Sequence, residues 1–312
     1  RVVIEMCKSY RLAKGILVNG FWDIEPNTYK AFDEDALGNH DGSSVQKDSE
    51  HVSSSRLNGY DGLSRSGKIP RVYPVGPLVR SERVYKDDDE DKPECLKWLD
   101  EQPIGSVLFV SFGSGGTLSE EQWKELALGL EMSEQRFLLV VKSTPNDKAK
   151  SAAYFSSNDK NKLDPFEFLP IIFLERTKEK GFLLSEWAPQ IEVLSHKAVG
   201  GFVTHCGWNS ALESIVHGVP LIAWPLFGEQ KMNAVLLSED LKVAFWVREN
   251  GSGFVDREEV ARLVRSLFEG EEGMDIRNRM RNFKALAAQA LSQDGASTKS
   301  LASVVENWRA AA

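Results

Sequence analysis

Cysteine is scarce in this chain of 312 residues: Cys7, Cys95 and Cys206 are the whole complement, and no CxxC pair occurs among them. Three scattered thiols exclude a disulfide framework and suit a reducing compartment, so a cytoplasmic location is expected. Histidine is nearly as sparse, at His40, His51, His196, His205 and His217. Positive charge is in deficit, with 38 Lys and Arg against 46 Asp and Glu and a formal net charge of −8. That balance argues against nucleic acid or an anionic membrane as the main partner. No stretch approaches the roughly eighteen consecutive apolar residues of a membrane helix. The glycine patterns GxGxxG and GxxxxGK[ST] are missing too, so a dinucleotide fingerprint or a P-loop fails on spacing. An initiator methionine is likewise absent. The chain opens at Arg1 directly into RVVIEMCKSYRLAKG, which reads as the interior of a helix. The parent's true N-terminus is therefore expected to lie outside this sequence, and this end says nothing about targeting.

What is present is ample apolar content, 42% hydrophobic, enough for one large domain or two smaller ones. Ile16-Leu17-Val18 after Gly15 reads as a short buried strand, followed by a turn at Asp23–Pro26 and a short helix. From Asp33 to Lys68 the composition shifts to Ser, Asp, Asn and Gly, which buries too little surface to offset ordering and reads as a mobile loop. KDDDEDKPE (Lys86–Glu94) lacks the glycine and the ligand spacing of a calcium loop and reads as a solvated linker. The pattern turns regular at Glu94, so the expected division is 1–93 and 94–312.

SVLFVSFGS (Ser106–Ser114) is an apolar run ending in small residues, the mark of a strand covered on both faces. Ser119 with Gln122 predicts a capping box for a helix reaching about Ser133. Further apolar runs at 137–141, 182–184, 200–205 and 219–224 alternate with amphipathic stretches, and Arg257 to about Trp308 reads as helical. Such alternation predicts an α/β fold with a parallel doubly wound sheet and ligands at the carboxyl ends of its strands.

The candidate chemistry lies in WAPQIEVLSHKAVGGFVTHCGWNSALESIVHGVPLIAWPLFGEQ, Trp187 to Gln230. A strand ending at Thr204, a glycine at 207 and a helix starting near Asn209 or Ser210 make an anion site from free amides, with His205, Asn209 and Ser210 as side-chain donors. The competing reading makes Ser210-x-x-Glu213 a capping box; both remain open at this point. Cys206 reads as a buried, inert thiol rather than a nucleophile. Trp187 can stack on a flat base, with the Ala188 backbone at its edge, or simply be core. Glu229-Gln230 suits paired sugar hydroxyls, or is acidic decoration of a helix start. SFGSGG (Ser111–Gly116) is a turn where backbone amides can approach a phosphate.

Taken together and without a gap, these residues resemble the nucleotide-sugar signature of plant family-1 UDP-glycosyltransferases. ECLKWLDEQPIGSVLFVSFGSGGTLS, LALGLEMSEQRFL, KMNAVLLSEDLKVA and EGEEGMDIRNRM extend the likeness over most of 94–308, closest to the hydroquinone and monolignol glucosyltransferase branch. The resemblance implies the two-lobed GT-B fold, represented mainly by its C-terminal Rossmann-like donor lobe (94–312). Residues 1–93 would then be the end of an acceptor lobe plus a linker. It implies that Trp187 stacks on uracil, that Ala188 and Gln190 hold the base and ribose side, and that Glu213 binds ribose hydroxyls. Ser114, His205, Asn209 and Ser210 would face the diphosphate, while Trp208, Glu229 and Gln230 would face the sugar. A final Gln, here Gln230, points to glucose.

The implied activity is inverting O-glucosylation of a small phenolic or phenylpropanoid acceptor from UDP-glucose, with no metal or other cofactor, by a monomer. The family's catalytic histidine belongs to a lobe mostly absent here, and none of the five histidines takes its position. FLWVVR of the family is FLLVVK here, and PKGF is PIIF at Pro170–Phe173. The alternative is therefore a lobe that binds UDP-sugar and transfers nothing. A nicotinamide oxidoreductase fits the sheet but lacks the glycine fingerprint.

Overall fold

The computed structural model describes residues 10, 12–37, 70–86, 89–142, 166, 169–185 and 187–310. The chain divides into two compact units, residues 1–77 with 289–312, and residues 78–288. Of the helix expected over residues 1–15, residues 1–9 and 11 lie outside the described residues, as do residues 38–69 of the polar stretch; Tyr10 is helical, but residues 12–15 have already left the helix. One part of that stretch is corrected. The helix Pro26–Leu37 runs through Asp33 into what composition assigned to a loop, because Ala, Glu and Leu in FDEDAL are good helix formers.

In the first unit, β1 (Ile16–Val18) pairs in parallel with β2 (Val72–Pro74), with Ile16 opposite Val72. Tyr73, Val75 and Val304 form a small buried cluster there. The Asn307 amide, from the helix Ala296–Ala310, donates to the Tyr73 hydroxyl at 3.1 Å.

The second unit holds six parallel strands: β3 (Val107–Ser111), β4 (Arg136–Val141), β5 (Gly181–Ser185), β6 (Val199–Thr204), β7 (Leu221–Ala223) and β8 (Ala244–Trp246). Their order is β5-β4-β3-β6-β7-β8, so the winding reverses between β3 and β6, where a ligand crevice forms in doubly wound sheets. β8 was not among the expected strands, since three residues within LKVAFWVREN are too short to show a period. Every residue of β3 is buried, as a strand covered on both faces requires. The Phe109 ring on β3 stacks on Phe202 of β6 at 4.8 Å, and Phe112 meets Trp123 and Trp224 edge-on. Each such side chain contributes roughly 1.5–3 kcal/mol by leaving water, which fixes the β3–β6 seam that carries the crevice.

The helix Glu120–Ser133 starts where capping predicts, with Ser119 Oγ accepting from the Gln122 amide nitrogen. The reciprocal half of the box is absent. Gln122's side chain instead donates to Val255 O at 2.8 Å and accepts from Val255 N at 2.9 Å. The stretch expected to be helical from Arg257 resolves into three helices, Arg257–Glu269, Glu271–Ala290 and Ala296–Ala310.

Candidate functional site

Ser111 on β3 pairs in register with Thr204 on β6, and Thr204 with Ala223 on β7. The three strands therefore end at one level. Phe112-Gly113-Ser114 leaves the sheet beside His205-Cys206-Gly207. The second turn is sharp: Cys206 takes a left-handed φ of 63°, an uncommon backbone state outside glycine. Side chains hold it there. The Cys206 amide donates to Thr204 Oγ1 at 3.2 Å, and its carbonyl accepts from Asn233 Nδ2 at 2.9 Å. Burial pushes the Cys206 thiol up to about 12, so it stays protonated and is no nucleophile.

The helix after this turn runs Trp208–His217 with Gly207 as its N-cap, and no side chain caps it. That removes the capping reading of Ser210. The helix begins earlier than expected, so Ser210 lies inside its first turn and does not cap it. With a glycine cap, the first amides and the positive end of the helix dipole face the crevice without a capping carboxylate.

His205 is held between two glycines. A Cβ on Gly113 would come to 2.5 Å from its Cε1, and a Cβ on Gly207 would also collide with the ring. Gly113 has φ of 70°, so glycine there serves both backbone and space. Burial pushes the imidazole down to about 4, with Glu229 acting to raise it and Lys142 to lower it. It is therefore neutral near pH 7. Its buried Nδ1 bonds to none of the described residues. The Lys142 ammonium, at the end of β4, donates to the Ser114 carbonyl at 2.5 Å. Thr117 Oγ1 donates to the Lys142 carbonyl at 3.3 Å.

Beyond β5 the indole of Trp187 is 69% exposed, and its amide donates to Ser185 O at 2.9 Å. Ala188 is buried. Gln190 opens the helix Gln190–Ser195 and reaches across to the helix 208–217. Its Nε2 donates to Ser210 Oγ at 2.9 Å and to Glu213 Oε2 at 2.6 Å. Burial raises the Glu213 carboxyl above the usual range, while the Gln190 bond and Arg80 pull it back. Behind them Glu192 is buried. It accepts from the Arg80 guanidinium at 3.2 Å and from the Arg83 amide at 3.1 Å.

On the far side Gln230 is buried, and its Oε1 accepts from the Leu226 and Phe227 amides at 2.8 and 3.0 Å. The oxygen end thus closes the loop after β7 and leaves the NH2 end as the donor. Glu229, the N-cap of the helix Gln230–Val235, is exposed, as is Asn209; Trp208 is half-buried.

The residues singled out by sequence thus fall at the carboxyl edge of one sheet, on the loops and the first two helix turns that follow β3, β5, β6 and β7. Direct side-chain bonds link Gln190, Ser210 and Glu213, and the others reach the same edge separately. Gly113 had been read only as part of the SFGSGG turn, and roles for Lys142, Glu192, Arg80 and Asn233 were not anticipated. Only Glu192 carried a signal, a lone carboxylate inside the apolar QIEVLS. Among the described residues no group of three His, Cys, Asp or Glu is arranged to hold a metal ion. No described helix is long and apolar enough to cross a membrane.

A parallel sheet wound in this order, with an anion-compatible helix start at its switch point and an exposed indole near its edge, is the architecture of a Rossmann-like nucleotide-binding lobe. Residues 90–246 match the family described as UDP-glucoronosyl and UDP-glucosyl transferase. The chain belongs to this family, among its plant family-1 UDP-glycosyltransferases. It is 51% identical over 308 residues to the hydroquinone glucosyltransferase of Rauvolfia serpentina, covering 99% of this chain and 58% of that protein. It is 52% identical to UDP-glycosyltransferase 72B1 of Arabidopsis thaliana, covering 97% and 56%. The structure of Phytolacca americana UGT2 complexed with UDP-2fluoro-glucose and pterostilbene superposes with a TM-score of 0.77 at 45% identity, over 99% of this chain and 57% of that one. The chain thus spans a little over half the length of these relatives.

Proposed function

We propose that this chain carries the donor half of a UDP-glucose-dependent glucosyltransferase acting on small phenolic or phenylpropanoid acceptors. In this reading residues 94–312 are the donor lobe, and residues 1–93 are the end of an acceptor lobe with its linker. The observation that carries it is the gathering of every candidate residue on the loops and helix turns at the carboxyl edge of one sheet. Trp187 stacks on uracil, with Ala188 and Gln190 at the base and ribose side. Glu213, its carboxyl oriented by Gln190, accepts from ribose hydroxyls. The amides of the helix start, with Ser114, His205, Asn209 and Ser210, take the diphosphate. Trp208, Glu229 and the Gln230 NH2 group face the glucose.

In the transfer, an acceptor hydroxyl gives its proton to a base of the acceptor lobe. Its oxygen bonds to the anomeric carbon as the bond to the diphosphate breaks, and UDP leaves with that electron pair, which inverts the centre. The donor lobe's part is to spread the leaving charge over fixed donors. No metal or other cofactor takes part, and the protein works as a cytoplasmic monomer.

One observation favours the second reading, a lobe that binds UDP-sugar without independent transfer. His196 bonds through both ring nitrogens, to Asp100 and to the Ala198 amide. His205 is a weak base at about 4, and burial also depresses His217. Burial thus makes His205 and His217 weaker bases than an ordinary histidine, and both His196 ring nitrogens already have partners. Two measurements test these readings. UDP is expected to raise the thermal unfolding midpoint and NAD to leave it unchanged; a folded chain with no UDP response removes both readings. UDP-glucose with a simple phenol then separates them, because glucoside from this chain alone removes the second.

A further inference from the structure

The net charge of −8 means that a diphosphate must be held against the field of the whole chain. The donors so far placed on it are neutral: helix amides, hydroxyls, an amide side chain and an uncharged imidazole. Lys142 is different. Its position is set by β4, which lies next to β3 in the sheet and ends at Val141. Its ammonium is already bonded to the carbonyl of Ser114, in the turn whose Gly113 lies against the His205 ring. Two bonds tie it to this turn, the second being Thr117 Oγ1 to the Lys142 carbonyl. The same charge is felt at His205, where it opposes protonation. Lys142 thus lies one strand from the switch point, bonded to the loop that β3 delivers there.

We propose that Lys142 is a diphosphate-recognition residue, supplying positive charge to the phosphates of the nucleotide bound against Ser114, His205 and the helix start. As the C–O bond to glucose breaks, negative charge grows on the departing diphosphate, so the contact strengthens toward the transition state. This rests on the nucleotide-sugar reading above. It goes beyond that reading by assigning the charge to a residue outside the Trp187–Gln230 block.

The test is calorimetric titration of the full chain with UDP and with uridine, which has the base and ribose but no phosphate. Lys142→Met is expected to weaken UDP at least about tenfold, the scale of one charge-assisted hydrogen bond, while uridine binds as before. Lys142→Arg is expected to keep UDP affinity within a few-fold. The methionine variant should also show a shallower loss of UDP affinity with added salt. Lys142→Gln serves if the methionine variant melts early. Unchanged UDP affinity in either neutral variant overturns the proposal. So does an equal loss of UDP and uridine, which would make Lys142 only a prop for the Ser114 turn. Failure of the wild-type chain to bind UDP removes the nucleotide reading and this inference with it. Wild-type binding with indifferent variants removes the inference alone.

Discussion

On one side of the crevice Gln190 already holds Ser210 and Glu213 through side-chain bonds of 2.9 and 2.6 Å. On the other, His205 sits between Gly113 and Gly207, its Nδ1 bonded to no described residue and its helix start without a side-chain cap. The first side is preorganised by side chains that satisfy one another. The second is built from backbone and from a neutral ring kept in place by the absence of neighbouring side chains. A hydroxyl-rich ligand is suited to the first, because carboxylate and amide groups give directional bonds. An anion is suited to the second, because its donors are fixed amides and a dipole. The difference teaches that polarity alone does not define a subsite; what matters is whether its donors are already spent.

The largest expected effect comes from breaking the His205 side. Gly113→Ala puts a Cβ into the imidazole at a left-handed φ, which alone costs about 1–2 kcal/mol. Its unfolding midpoint should fall and its UDP response should vanish, while uridine still binds; a variant that binds UDP normally would refute the glycine clamp. Next is Trp187→Ala, which should weaken UDP and uridine alike by roughly 1–3 kcal/mol, the worth of one stacked base. Because the indole is largely exposed, the melting midpoint should hold. An effect on UDP with none on uridine would move Trp187 out of the base side.

The third test uses pH. His205 titrates near 4 when folded, against an ordinary value of 6.5. The unfolded chain therefore binds the extra proton between those values, so stability falls as pH drops from about 6.5 toward 4 and levels off below. His205→Gln should flatten that part of the profile in chemical denaturation. UDP should raise the His205 titration point, read from its ring proton by NMR, since adjacent phosphates favour the imidazolium. A titration point unmoved by UDP would place the diphosphate elsewhere. The smallest effect is expected on the Gln190 side. Ser210→Ala should change stability by well under the roughly 1 kcal/mol of a lost helix cap, because Gly207 is the cap. Gln190 also keeps Glu213 as an acceptor. A full cap-sized loss would restore the capping role.

Much of this was legible from residue order. β6 ends at Thr204 as read, because a buried parallel strand is an apolar run bounded by small residues, whereas β1 falls on Ile16–Val18 but is not the buried strand expected, with Leu17 exposed and its neighbours half-buried. β8 escaped because Ala244–Trp246 is too short for any period. Ser210 was ambiguous because Ser-x-x-Glu is written the same way whether it caps a helix or faces a ligand. Lys142 and Arg80 escaped because each lies far in sequence from the groups it reaches.

Residue order alone set out the candidate-site block, since Trp187 to Gln230 is one local run whose spacing survives without knowledge of the fold. It also determined the alternating α/β pattern and the negative charge against which an anionic ligand must be held. Only the tertiary structure decided that Ser111 and Thr204 end level, so that a glycine at 113 shapes the pocket of a histidine at 205. It alone decided that Gln190 spends its amide on Ser210 and Glu213, and that Gln230 turns its oxygen inward. The physical reason is that propensity and burial act over a few residues and leave their mark in local order. Hydrogen-bond partners and close approach depend on which strands lie side by side, and a parallel sheet joins strands distant along the chain.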